Sequence, residues 1–168
     1  DLGVGLTVRP AVTTGGGIPA PGAEIDASLQ PSLDVTQRLG SNLLGSVTVN
    51  TDFAETEVDT RRTNLTRFPL FFPEKRTFFL EGADIFAFGL GLGTEMLPYY
   101  SRRIGLVAGR EVPILAGGKV NGRVSGANLG AQIVQARAVD GVAPDATTAV
   151  VRLKQNVLAE SSVGVIAT

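Results

Sequence analysis

Histidine, cysteine and tryptophan are absent from the 168 residues, and methionine occurs once. Without cysteine there is no disulfide, so the redox compartment cannot be read from that source. Lack of both cysteine and histidine removes the usual ligands of zinc, haem and iron–sulfur centres. No serine has a histidine to activate it, so the commonest hydrolytic constellation is excluded as well. Charge of one sign is also lacking, with 15 basic against 16 acidic residues. This balance offers no electrostatic footprint for nucleic acid. No apolar run approaches the length of a membrane-spanning helix, and no signal peptide opens the chain. Both ends break into alternating runs, so the chain reads as an internal fragment of a longer protein.

What is present is period-two alternation. In the run from Glu24 to Thr36, Ile25, Ala27, Leu29, Leu33 and Val35 alternate with Asp26, Ser28, Gln30, Asp34 and Thr36. Successive strand side chains point to opposite faces, so one face is apolar and the other polar. Strands are expected at about 2–12, 23–36 and 43–52, and again at about 112–124, 127–138, 146–157 and 160–168. An irregular insertion at about 53–110 separates the two groups, and 1–168 forms a single domain. The joints at 38–42, 125–128, 139–145 and 158–162 suit antiparallel neighbours joined by hairpins. Pro31, which has no amide donor, favours an edge, a bulge or a strand end. Helical periodicity is absent over any useful length, apart from a short turn around 64–72.

Two architectures use such strands. A β-sandwich buries the apolar faces together, whereas a transmembrane barrel turns them to lipid and keeps the polar faces inward. Strand lengths near ten residues suit the membrane, while the lack of aromatic girdles on the strands speaks against it.

Aromatic residues are confined to the centre. Seven of the eight phenylalanines fall between Phe68 and Phe88, with Phe53 upstream and Tyr99 and Tyr100 downstream. The core of this block reads NLTRFPLFFPEKRTFFLEGADIF, residues 64–86. Pro69 and Pro73 forbid a long helix. Phe71, Phe72, Phe78 and Phe79 can bury large areas, and the charges between them need pairing if enclosed. A wedge folded across the polar face of the sheet is the expected role.

The same block resembles the signature of the bacterial family of domain of unknown function 5916 (DUF5916). Residues 47–68, YYSRRIGL at 99–106 and the run 113–137 are similar in style, so the resemblance covers most of the chain from about Val47. Its signature positions here are Asn64, Phe68, Phe71, Phe72, Pro73, Glu74, Lys75, Arg76, Phe78, Phe79, Glu81 and Gly82. The resemblance implies an all-β antiparallel meander, part of a transmembrane β-barrel of the Gram-negative outer membrane, with the aromatic insertion packed on the polar, lumen face. It also implies an upstream family-9-type carbohydrate-binding module and downstream strands, both missing here. Outer-membrane lipid is then the first partner, and carbohydrate the second. The function implied is passage or surface handling of carbohydrate-related material; a soluble or periplasmic glycan-binding or glycan-cleaving β-protein and a structural envelope barrel are the alternatives.

Chemistry within this segment has little support. Glu74 and Glu81 form an acid pair on paper, but glycoside cleavage needs two carboxylates roughly 5–10 Å apart across a cleft. Lys75, Arg76, Arg102 and Arg103 offer each acid a more ordinary partner. Tyr99 and Tyr100, beside Arg102 and Arg103, could stack a sugar, although anchoring the block is the commoner role of such a motif. Asp52, Glu55, Glu57 and Asp59 lack the spacing of a calcium loop, and GLGLG at 89–93 is not a dinucleotide pattern. No catalytic residue, metal or cofactor is assigned, and the residues argue against an enzyme more than for one.

Overall fold

The structure is a computed structural model and describes residues 5–17, 26–51, 74–88, 98–107, 110–158 and 161–168. Its main sheet has seven strands: β1 (Leu6–Gly17), β2 (Asp26–Leu39), β3 (Leu43–Val49), β6 (Ile114–Val124), β7 (Ala127–Ala136), β8 (Ala146–Asn156) and β9 (Ser162–Ala167). They lie in the order β1-β2-β3-β6-β7-β8-β9, so each strand pairs with its neighbour in the sheet sequence, and all pairs are antiparallel. Between β3 and β6 come two helical turns, α1 (Thr77–Leu80) and α2 (Ala83–Phe86), and a 3-10 turn at Ser101–Arg103. A small ribbon of β4 (Leu106–Val107) and β5 (Arg110–Glu111) follows them. The chain is therefore all-β and antiparallel.

The strands form where alternation predicts them, with different ends. The sequence reading closes the first strand near Val12 and makes 14–22 a loop, yet β1 continues to Gly17, paired as far as Asp26 of β2. A ladder needs only backbone donors and acceptors, so a glycine run can extend a strand that its side chains do not announce. The turn expected around 64–72 lies outside the described residues. Pro31 sits inside β2, opposite Val12, but beyond the last β2–β3 pair, Leu33 with Val49. Its carbonyl accepts a hydrogen bond from Asn50 Nδ2. The Pro31 nitrogen points to that same side, so its missing N–H falls where β3 has already ended.

Local chemistry sets the joints. β6 and β7 are linked by Ser125 (φ 50°) and Gly126 (φ 84°), the two positive-φ residues of a two-residue hairpin turn. A bulge between Ile114 and Ala116 shifts the β6–β7 register. By simple alternation Ile114 would share a face with Ala116; the extra residue instead turns it to the opposite face, where it is 1% exposed.

The two faces of the sheet differ sharply. One carries Arg9, Asp34, Thr36, Arg38, Ser46, Thr48, Lys119, Asn121, Arg123, Gln132, Arg152 and Lys154. The other carries Val8, Val12, Leu29, Leu33, Val47, Val49, Val124, Ile133, Val151, Leu153, Val163 and Val165, all exposed, and no charged residue. The main core lies on the polar side: Phe78, Phe79 and Ile104 pack against Ile114 and Val134, with Tyr99 at its margin.

Glycine permits this close approach. A Cβ built on Gly130 of β7 would stand 2.9 Å from Ile85 Cγ2 and from the Phe86 ring, both in α2. On the opposite face, a Cβ on Gly118 would meet only Ile133, at 3.9 Å. Gly130→Ala should therefore destabilise the protein by about 1–3 kcal/mol, whereas Gly118→Ala should be close to neutral. Thermal midpoints of the two variants check this, and equal midpoints would contradict the packing described.

Candidate functional site

The short elements before β4 place a dense set of charged side chains next to the aromatic rings. Arg76 precedes α1 and is 5% exposed. Its Nε donates to Glu74 Oε1 at 2.9 Å and one Nη donates to Glu74 Oε2 at 2.8 Å, a two-pronged contact that uses the planar guanidinium fork. The remaining donors reach the backbone carbonyls of Ile104, at 2.7 Å, and Ser101, at 2.9 Å. The Phe79 ring lies 4.1 Å beneath the guanidinium carbon. Glu74 is equally occupied. Its Oε1 accepts the amides of Lys75 and Arg76, and its Oε2 accepts the Ser101 hydroxyl at 2.7 Å. Burial by itself would raise the Glu74 pKa, but hydrogen bonds and charge from Arg76, together with the Ser101 hydroxyl, outweigh it and hold the carboxyl below its ordinary value of 4.5.

Lys119, projecting from β6 beneath α1, forms a second tie. Its ammonium donates to the carbonyls of Phe78 and Glu81 and sits 4.9 Å from the centre of the Phe78 ring. Carbonyls at a helix end have no partner within the helix, and a buried ammonium needs acceptors, so each meets the other's requirement. Glu81 turns the other way. Its carboxylate accepts from Thr36 of β2 at 3.1 Å and Ser46 of β3 at 3.3 Å, and pairs with Arg9 of β1 at 3.3 Å.

Farther along, Tyr99 Oη accepts a hydrogen bond from Gln132 Nε2 at 2.6 Å, and its ring lies 5.7 Å from that of Phe86. Burial pushes the Tyr99 phenol up to about 12. Arg152 of β8 is buried, donates to the carbonyls of Leu153 and Val165, and lies 4.9 Å from the Phe88 ring centre.

The acids considered as a catalytic pair are thus committed to separate partner sets. An acid catalyst for glycoside cleavage needs a raised pKa, and Glu74 is shifted the opposite way. Of the residues considered for stacking sugar, Tyr99 faces the core margin and Arg102 is buried, while Tyr100 is half-buried and Arg103 exposed. Lys75 is half-buried, Phe78 and Phe79 are in the core, and Gly82 (φ 69°) caps α2 against the Asn121 side chain. Asn64, Phe68, Phe71, Phe72 and Pro73 lie outside the described residues, as do the acids at 52–59 and the glycines at 89–93. Sequence reasoning missed Ser101, Lys119, Gln132 and Arg152 as partners of the block. The available signal was their position: the last three fall on the polar side of the alternation, where a covering segment would meet them.

The family described as domain of unknown function (DUF5916) matches residues 22–129. The chain belongs to DUF5916. No curated protein and no solved structure matches it. The DUF5916 match spans β2, β3, both helical turns, β6 and the start of β7, and so includes Glu74, Arg76, Glu81 and Lys119.

The Glu74–Arg76 contact makes a pH prediction. A carboxyl held below 4.5 contributes its full stabilisation above that pH and loses it as the pH falls through the lower folded-state value. Glu74→Gln strands the buried guanidinium and should cost about 3 kcal/mol at neutral pH. Thermal melts between pH 7 and 3 should show the gap between variant and wild type narrowing below about pH 4.5. A constant gap would contradict the pairing.

Proposed function

We propose that this chain is part of a transmembrane β-barrel of the bacterial outer membrane that passes or handles carbohydrate-related material. The observation that carries the barrel is the segregation of charge between the two faces of the sheet. A dozen large aliphatic side chains exposed on one uncharged face would each forfeit roughly 1–2 kcal/mol in water. Soluble monomers rarely expose a contiguous apolar patch larger than a few hundred Å², and a larger one marks a membrane or partner surface. The gain that favours a membrane is therefore burial of this face under an apolar cover. Hydrocarbon lipid supplies one without a second protein layer, and the charged face then becomes the lumen.

Two further features support the same reading. β1, β2, β6, β7 and β8 have 12, 14, 11, 10 and 11 residues, long enough for a tilted membrane strand of about 9–11 residues. Connections also sort by end. Residues 40–42, 125–126 and 157–161 link strands at one end of the sheet, while 18–25, 50–113 and 137–145 do so at the other. Short turns on the periplasmic side and longer loops outside are the habit of outer-membrane barrels. On this reading, residues 74–88 and 98–104 form an irregular aromatic insert across the lumen face, held there by Arg76, Lys119 and Glu81.

The carbohydrate part rests on the resemblance carried by FFPEKRTFFLEG. A structural envelope barrel is the second reading; it is favoured by the Arg76, Lys119 and Glu81 contacts, which fix the insert across the inner face and serve packing. The test is fractionation of the protein from its native envelope, with electrophoresis before and after boiling. Recovery with the outer membrane and a mobility shift on heating are expected. A soluble, unshifted protein would overturn the barrel and leave a β-sandwich whose aromatic block becomes a candidate glycan cleft. Ile133→Arg, which puts a charge in the middle of the apolar face, should cost about 2–4 kcal/mol and reduce the heat-shifted fraction.

A further inference from the structure

Among strand residues whose side chains are described, seven charged ones lie on the inner face: Arg9, Asp34, Arg38, Lys119, Arg123, Arg152 and Lys154. All but Asp34 are basic. Four of the seven are engaged within the fold. Arg9 pairs with Glu81, Asp34 accepts from Thr48, Lys119 holds two carbonyls, and Arg152 is buried on the carbonyls of Leu153 and Val165.

The other three, Arg38, Arg123 and Lys154, are exposed and gather at the end of the sheet with the short turns. Register fixes their spacing. Arg123 lies opposite Asn128, which lies opposite Lys154, so the two cations flank one asparagine across two strand intervals, about 10 Å. Arg38 lies opposite Leu44, and Leu44 opposite Asn121, two residues before Arg123. Among the described residues, none of the three forms an ion pair; Glu74 and Glu81 are occupied by Arg76 and Arg9. With no described carboxylate paired to these three cations, like charges facing one lumen raise the local affinity for an anion. Rings of arginine and lysine are also how pores prefer anions.

We infer that this end of the inner face is an anion-binding mouth that selects acidic over neutral saccharides. The inference rests on the barrel reading, which makes the inner face a lumen, and it adds the charge of the solute. Arg38, Arg123 and Lys154 meet carboxylates of a saccharide at this periplasmic end of the lumen. Asn128 stands between two of them, with an amide able to donate to sugar hydroxyls or accept from them.

The experiment uses the protein extracted from its native membrane into neutral detergent, free of lipopolysaccharide. Equilibrium dialysis compares oligogalacturonate with a neutral malto-oligosaccharide of equal length. The wild type should bind the acidic probe about tenfold more tightly at low salt, a preference fading as added salt screens exposed charges. The triple variant Arg38→Gln, Arg123→Gln and Lys154→Gln should lose most of that preference, and Arg123→Lys alone should retain it. Equal binding of both probes, or an unchanged triple variant, would overturn the inference. So would binding of purified lipopolysaccharide with none of oligogalacturonate, which would make lipid phosphate the ligand. Heat-modifiable mobility of the same samples separates the two levels. A shifted wild type without acidic preference sinks this inference alone, whereas an unshifted wild type sinks the barrel with it.

Discussion

Side chains two residues apart on a β-strand share a face, and this constraint organises everything else in the chain. It lets a sequence with nearly balanced charge confine Arg9, Asp34, Arg38, Lys119, Arg123, Arg152 and Lys154 to one side of a seven-stranded sheet. The opposite side keeps Leu, Val and Ile without a single charge. Slipping β1, β2, β6 or β8 by one residue would exchange its faces and bring charge to the apolar side. The β6 bulge is the exception: it breaks the alternation once and so turns Ile114 into the core.

The covered face is unusual as a core because it encloses cations as well as aromatics. Arg76, Lys119 and Arg152 are each at most 5% exposed. Burying a charge is costly unless hydrogen bonds and counter-charges replace water. Arg76 receives a carboxylate, two carbonyls and a ring, and Lys119 receives two carbonyls and a ring. The phenylalanines serve two ends: they exclude water and offer the cations a π-face. That division answers why the central block mixes aromatic residues with Glu74, Arg76 and Glu81. The acids fix the block in place, Glu74 by tying it to Ser101 and Arg76, Glu81 by tying it to β1, β2 and β3.

Much of the sheet was legible because alternation depends only on local order. Val47 and Val49 against Ser46 and Thr48 announce a strand with two unlike faces, whatever else the chain does. The grouping of three strands, an irregular segment and four strands follows from the same pattern. What alternation cannot supply is contact between distant segments. Nothing at Lys119 announces that its amine will reach carbonyls near residue 80, and nothing at Gln132 announces Tyr99. The turns α1 and α2 have four residues each, too short for a helical period to appear in sequence. The extension of β1 through its glycines was hidden because a backbone ladder leaves no side-chain signature. Pro31 was readable as an anomaly, but its harmless position depends on where β3 ends.

The central claim is that the uncharged face of the sheet meets lipid. Because the chain contains no cysteine, single cysteines placed in turn along β8 can each carry a spin label without background. Collision with oxygen, which concentrates in lipid, is then compared with collision with a water-soluble nickel complex in the reconstituted protein. The account predicts oxygen access with nickel exclusion at residues 149, 151 and 153, and loss of that lipid signature at 148, 150 and 152. Nickel access at 151 and 153 as free as at 154 would contradict it.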